Sequence, residues 1–175
     1  MAYSAEKAAA FAYQGHAKSV KNTTEKIAIK QIEEDEWGHR HEVLLIMNLY
    51  NIKPSKFYEI RFYIVGKIIS FSCFIIGWFM PFYFAGRLES GNVCEYFRLK
   101  IWFNELGITQ HDKVLYDMGI KEKEHEVYFY EQIKNSKFLP FFEHFFKWGA
   151  IQSFNNIDLT KKLPLEKSDT YCKNK

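Results

Sequence analysis

At 175 residues the chain is long enough to bury a core without disulfides, and a formal net charge of +3 with a pI near 8.6 is too mild to argue for nucleic acid. Aromatic residues make up 18% of the sequence and are unevenly spread, which points towards lipid or a greasy ligand. Cys73, Cys94 and Cys172 have no short paired spacing, and no N-terminal stretch has a charged-then-apolar build, so the expected setting is a reduced, cytoplasmic one.

Residues 4–20, SAEKAAAFAYQGHAKSV, are alanine-rich with Ser4 as N-cap, and predict a first helix. Thr23 or Thr24 can cap a second helix running to about Tyr50, where NIKPSK breaks the hydrogen-bond ladder. The chain from Phe57 to Ala85 is aromatic and aliphatic, and residues 68–86 carry no charge over 19 positions, just enough to consider a membrane span. Gly77 and Pro81 interrupt that run and Arg87 follows it, so a buried or membrane-surface crossover is the preferred expectation. RLESGNVCEYFRLKIWFNEL predicts a third long helix ended by Gly107, and Thr109 can cap a fourth over residues 110–135. KFLPFFEHFFKW, residues 137–148, suits either an interfacial amphipathic helix or one docked on the bundle. The expected organisation is one domain over residues 1–152 and a polar tail over 153–175.

The stretch IEEDEWGHRHE, residues 32–42, raises the question of a metal. Glutamate and histidine three residues apart share a helix face and can reach one ion. Glu-x-x-His occurs only at Glu36 with His39 and at Glu122 with His125. Glutamate with tyrosine seven residues on, about two helical turns, occurs only at Glu6 with Tyr13 and Glu89 with Tyr96. The order along the chain is therefore the same pair of motifs twice.

In an antiparallel hairpin, residues equidistant from the turn lie at one level. Glu6 and Glu36 are centred on position 21, the first predicted turn. Glu89 and Glu122 are centred between 105 and 106, close to Gly107. Glu95 fits that second turn equally well, and the choice of Glu89 rests on the Tyr96 spacing and the repeat.

One glutamate from each of two helices plus Glu-x-x-His from each of two others is the ligand set of di-iron carboxylate bundles. Carboxylates suit hard, oxygen-loving ions, and six protein ligands leave positions open for oxygen. AEKAAAFAYQGH, EEDEWGHRHE, GRLESGNVCEYF and IKEKEHEVYFY, spread over about residues 5–131, resemble the ferritin-like superfamily and within it the demethoxyubiquinone hydroxylase family. That resemblance implies an all-α, ferritin-like four-helix bundle with a long apolar crossover and a C-terminal amphipathic helix. It implies two iron ions held by Glu6, Glu36, His39, Glu89, Glu122 and His125, with Glu36 and Glu122 bridging and Tyr13 and Tyr96 close to the irons.

The remaining acidic and histidine residues of the motif, Glu33, Glu34, Asp35, His41 and Glu42, read as a solvated helix face, with Asp35 able to orient a ligand histidine. His16, His111 and His144 read as surface or capping residues, and the cysteines as inert. The activity implied is that of a membrane-associated monooxygenase that uses O2 and an external reductant to hydroxylate a hydrophobic quinone precursor at the inner face of the membrane, with oligomers possible. The alternative is a rubrerythrin-like peroxidase or iron-handling protein, although the sequence has no cysteine pairs for a rubredoxin-type centre.

Overall fold

Residues 1–149 are described by the computed structural model, and they are all-helical, with six helices and no strand. The predicted tail, 153–175, lies outside them. The chain divides into two compact units, residues 1–81 and the residues from Phe82 on.

The first unit contains α1 (Ala2–Ser19), α2 (Thr23–Leu49) and α3 (Lys56–Ser72). α1 packs against both of the others, and its small residues explain why it can. Ala8, Ala9, Ala10, Ala12 and Ala17 are buried, so the neighbouring backbones come close. A Cβ on Gly15 would lie 2.3 Å from the Ser70 carbonyl oxygen, and one on Gly66 would lie 2.8 Å from the Ala8 Cα. Phe11 fills the wider gap, edge-on to Trp37 at 5.6 Å and to Tyr63 at 5.4 Å, with the Lys67 ammonium 3.7 Å from its ring centre.

Helix starts differ from the sequence expectation at several points. Ser4 does not cap α1, which begins at Ala2; its hydroxyl donates instead to Glu59 on α3. The cap of α2 is Asn22, whose Oδ1 accepts from Thr24 N at 2.8 Å and Glu25 N at 3.3 Å. Asparagine is at least as good a cap as threonine, and it sits one position earlier.

The apolar run 68–86 is not one helix. α3 ends at Ser72, Gly77 adopts φ +80°, and α4 starts at Phe79. Pro81 falls in the first turn of α4, where a missing N–H costs little, so the helix begins about two turns before the expected Arg87. No helix among the described residues is long and apolar enough to cross a membrane. The second part of the run is core, with Phe79, Phe82 and Tyr83 buried, but α3 is largely exposed. Phe57, Ile60, Ile64, Ile68 and Phe71 lie along the side of α3 away from α1 and are each more than half exposed.

The second unit contains α4 (Phe79–Glu105) from Phe82 on, α5 (Asp112–Ile133) and α6 (Leu139–Phe146). α4 ends as expected: Gly107 takes φ +76°, and Ile108 N donates back to Phe103 O at 2.9 Å. His111 rather than Thr109 is the N-cap residue of α5. Phe97 stacks on Tyr116, Phe82 meets Phe129 edge-on, and Gly119 makes room for the Phe97 ring.

α6 docks on α4, as one of its two sequence expectations has it. Leu139 is buried, and Phe142 and Phe146 pack on Tyr83 and Phe84, while Phe138, Phe141 and Phe145 stay exposed. Tyr83 Oη donates to Phe142 O and Glu143 Oε1, and Arg87 Nε to Phe146 O. Cys73 is free and buried.

Candidate metal-binding triads

In the first unit, Glu6 comes from α1 and Glu36 and His39 from α2. Each offers one ligand atom, and these atoms lie within 4.8 Å of one another. The i, i+3 spacing puts Glu36 and His39 on one face of α2, and the short turn after Ser19 brings Glu6 to their level. All three are buried, Glu36 completely.

The second unit contains the same chemistry. Glu89 from α4 and Glu122 and His125 from α5 also offer ligand atoms within 4.8 Å of one another. Glu89 and Glu122 have no exposed surface, and His125 Nδ1 lies 4.0 Å from Glu122 Oε2. Asn92, one turn beyond Glu89, donates to Glu89 Oε2 at 3.3 Å and to Glu122 Oε2 at 3.4 Å. Its amide thereby holds the two carboxylates side by side.

Burying a carboxylate costs several kcal/mol unless a cation or strong donors compensate. Each triad removes two carboxylates and an imidazole from water and gathers them within reach of one point, a donor set that suits a hard divalent cation. These buried Glu/His groups could hold a metal ion.

Tyr13 and Tyr96 are both buried on the ligand helices. Glu95, the competing choice for the second hairpin, is exposed and belongs to no triad. Glu34 and His41 are exposed, and Asp35 is partly exposed and accepts from Gln31 Nε2. His144 is exposed; His16 is buried inside α1, which corrects its reading as a surface or capping residue, whereas His111, though buried, is the N-cap residue of α5, in line with the capping reading. Burial in the alanine-rich helix lowers the His16 pKa to about 4. A cleft of about 470 Å³ in the first unit is lined by His16, Asn22, Cys73, Phe74 and Trp78 among others, and none of the expected site residues borders it.

No family model matches the chain, and neither the curated proteins nor the solved structures yield a match.

Four polar residues near the triads were not anticipated. Asn92 could have been found, because i, i+3 from Glu89 is the same spacing that marks Glu-x-x-His. Glu59, which receives Arg40, Ser4 and Lys7, gives no local signal, because its partners are 19 to 55 residues away. Lys123 and Glu126, buried and paired at 2.5 Å, look like an ordinary surface i, i+3 pair in sequence.

Proposed function

We propose that both triads bind iron, that the protein is a di-iron carboxylate protein of ferritin-like type, and that it is a membrane-associated monooxygenase acting on a hydrophobic quinone precursor. The observation that carries this reading is the repetition of one donor set: each unit independently gathers two buried carboxylates and a histidine within 4.8 Å. Glu6, Glu36 and His39 would hold one iron, and Glu89, Glu122 and His125 the other.

The irons, when bound, would supply the redox chemistry that activates O2. The balance is RH + O2 + 2e⁻ + 2H⁺ giving ROH + H2O, with both electrons drawn from an external reductant. The chain's own part is to hold the carboxylates out of water, where their charge acts at full strength, and to keep their spacing fixed. Asn92 does the latter for Glu89 and Glu122. Tyr13 and Tyr96, buried two turns from Glu6 and Glu89, would wall the centre against solvent.

Membrane contact is supported by the exposed apolar face of α3 and by the exposed phenylalanines of α6, surfaces that water does not favour. A hydrophobic substrate would be drawn from that phase.

The deciding experiment mixes the anaerobic di-ferrous protein rapidly with O2 and, separately, with H2O2. Faster oxidation by O2 in the presence of a short-chain quinone precursor and a reductant, with a product 16 mass units heavier, is the expected outcome. A strong preference for H2O2 with no effect of the precursor would replace the hydroxylase reading by a peroxidase one.

A further inference from the structure

Glu59 is the only acidic residue of α3, a helix made mostly of apolar, aromatic and basic residues. Four donors from two other helices converge on it. Ser4 Oγ donates to Oε1 at 2.7 Å and Lys7 Nζ to Oε2 at 3.1 Å. Arg40 grips both oxygens, Nη1 to Oε1 at 3.2 Å and Nη2 to Oε2 at 2.8 Å. Arg40 Nη1 also donates to the Tyr3 carbonyl at 2.6 Å, and its guanidinium carbon lies 3.6 Å from the Tyr3 ring centre.

The positions of these partners matter more than their number. Tyr3, Ser4 and Lys7 lie along one stripe of α1, and Glu6 is the residue next to Lys7. Arg40 is the residue after His39 on α2. Successive residues of a helix point about 100° apart. Tying Ser4 and Lys7 towards α3 therefore turns Glu6 away from it, and tying Arg40 towards α3 turns His39 away in the same manner. A forked, charge-assisted Arg–carboxylate contact is directional enough to fix such a rotation, which a greasy contact is not.

We propose that Glu59 is a positioning residue for the first triad: by drawing Ser4, Lys7 and Arg40 to one point it sets the rotation of α1 and α2 that aims Glu6 and His39 at a common divalent cation. The inference rests on the metal reading above. It adds a residue on a third helix that donates no ligand, and through it makes the triad depend on how α3 is seated. Burial would raise the Glu59 carboxyl, but the hydrogen bonds from Arg40, Ser4 and Lys7 and the charge of Arg40 outweigh it and hold the pKa at about 2, so the group stays ionised throughout the working pH range.

The test uses the full chain with Glu59→Gln, which keeps the shape and removes the charge, Glu59→Asp, which keeps the charge and withdraws it by one methylene, and Glu131→Gln as a control at the exposed Lys134–Glu131 pair. Co(II) is titrated anaerobically and followed by its d–d absorption, and amide hydrogen exchange is measured on the metal-free protein. Glu59→Gln is expected to weaken Co(II) binding by about tenfold or more, to alter the d–d spectrum, and to speed exchange over residues 2–10 while residues 14–19 keep the wild-type rate. Glu59→Asp should fall between wild type and Glu59→Gln and carries the test if the latter does not fold. Glu131→Gln should stay within about twofold of wild type, as suits an exposed pair.

A folded Glu59→Gln, or failing it Glu59→Asp, with wild-type affinity and spectrum overturns the proposal. So does weakened binding with unchanged exchange, because the loss would then be a distant charge effect rather than a lost orientation. A wild-type chain that binds no Co(II) or Fe(II) instead sinks the metal reading itself.

Discussion

Trp148 Nε1 donates to Glu126 Oε1 at 3.0 Å, joining the end of the α6 segment to a carboxylate on α5 that has no exposed surface. The other oxygen of Glu126 takes the Lys123 ammonium, and the indole lies against Gly86, where a Cβ would come within 2.0 Å of it. Glu126 and Lys123 each follow a triad residue directly, so the contacts that seat α6 also brace the ligand-bearing part of α5.

Replacing Trp148 by phenylalanine keeps one aromatic ring but removes the pyrrole part of the indole with its donor to a buried charge. A loss of about 2 kcal/mol is expected, in the range for hydrogen bonds to ionised groups. Urea unfolding would measure it. An unchanged midpoint would mean that water replaces the indole without cost.

The glycines of the second unit should respond in opposite senses. Gly119→Ala places a Cβ 2.5 Å from the Phe97 ring and should destabilise by about 1–3 kcal/mol through overpacking. Gly91 lies within α4 with nothing within 4 Å of an added Cβ, so Gly91→Ala should stabilise by up to about 1 kcal/mol. Thermal unfolding of the two variants side by side checks both signs.

His16 should make the first unit sensitive to mild acid. Its pKa is ordinary when unfolded, about 6.5, and about 4 when folded. Between those values the unfolded chain takes up a proton that the folded chain refuses, so stability falls as the pH drops from about 6.5 to about 4 and levels off below. At about 1.4 kcal/mol per pH unit the full effect approaches about 3 kcal/mol. His16→Gln should flatten that slope in denaturant titrations across the window.

Divalent metal should stabilise the fold and chelation should reverse it. At a hundredfold excess over the dissociation constant, bound Fe(II) is expected to add about 2.7 kcal/mol. Anaerobic thermal melts with and without a chelator measure this. Glu36→Ala should abolish the gain; a gain that survives the substitution would place the metal elsewhere.

The exposed face of α3 offers a test that leaves the core alone. Replacing Phe57, Ile64 and Phe71 together by aspartate should abolish flotation with neutral or anionic liposomes while leaving the melting temperature close to wild type, because all three side chains are already mostly in water. Wild-type protein that fails to float would remove membrane association from the functional reading.

Much of the candidate site was legible in one dimension because helices turn spacing into direction. Glu-x-x-His puts two donors on one face wherever a helix forms, and hairpin symmetry about a turn puts Glu6 level with Glu36 without knowledge of packing. Where two choices were symmetric about the same turn, as with Glu89 and Glu95, spacing to Tyr96 favoured one and burial separated them.

What the tertiary structure alone decided depends on contacts between segments distant in sequence. Ser4 reads as a helix cap until α3 supplies Glu59, and Arg40 reads as one more surface charge until the same carboxylate arrives. The uncharged run at 68–86 carries no mark of where it bends or which side faces water; the backbone at Gly77 and the close approach of Gly15 to Ser70 settle that. Sequence determines which side chains share a helix face. Which face is buried, and which charge finds a partner, is decided only when a second helix comes to lie against it.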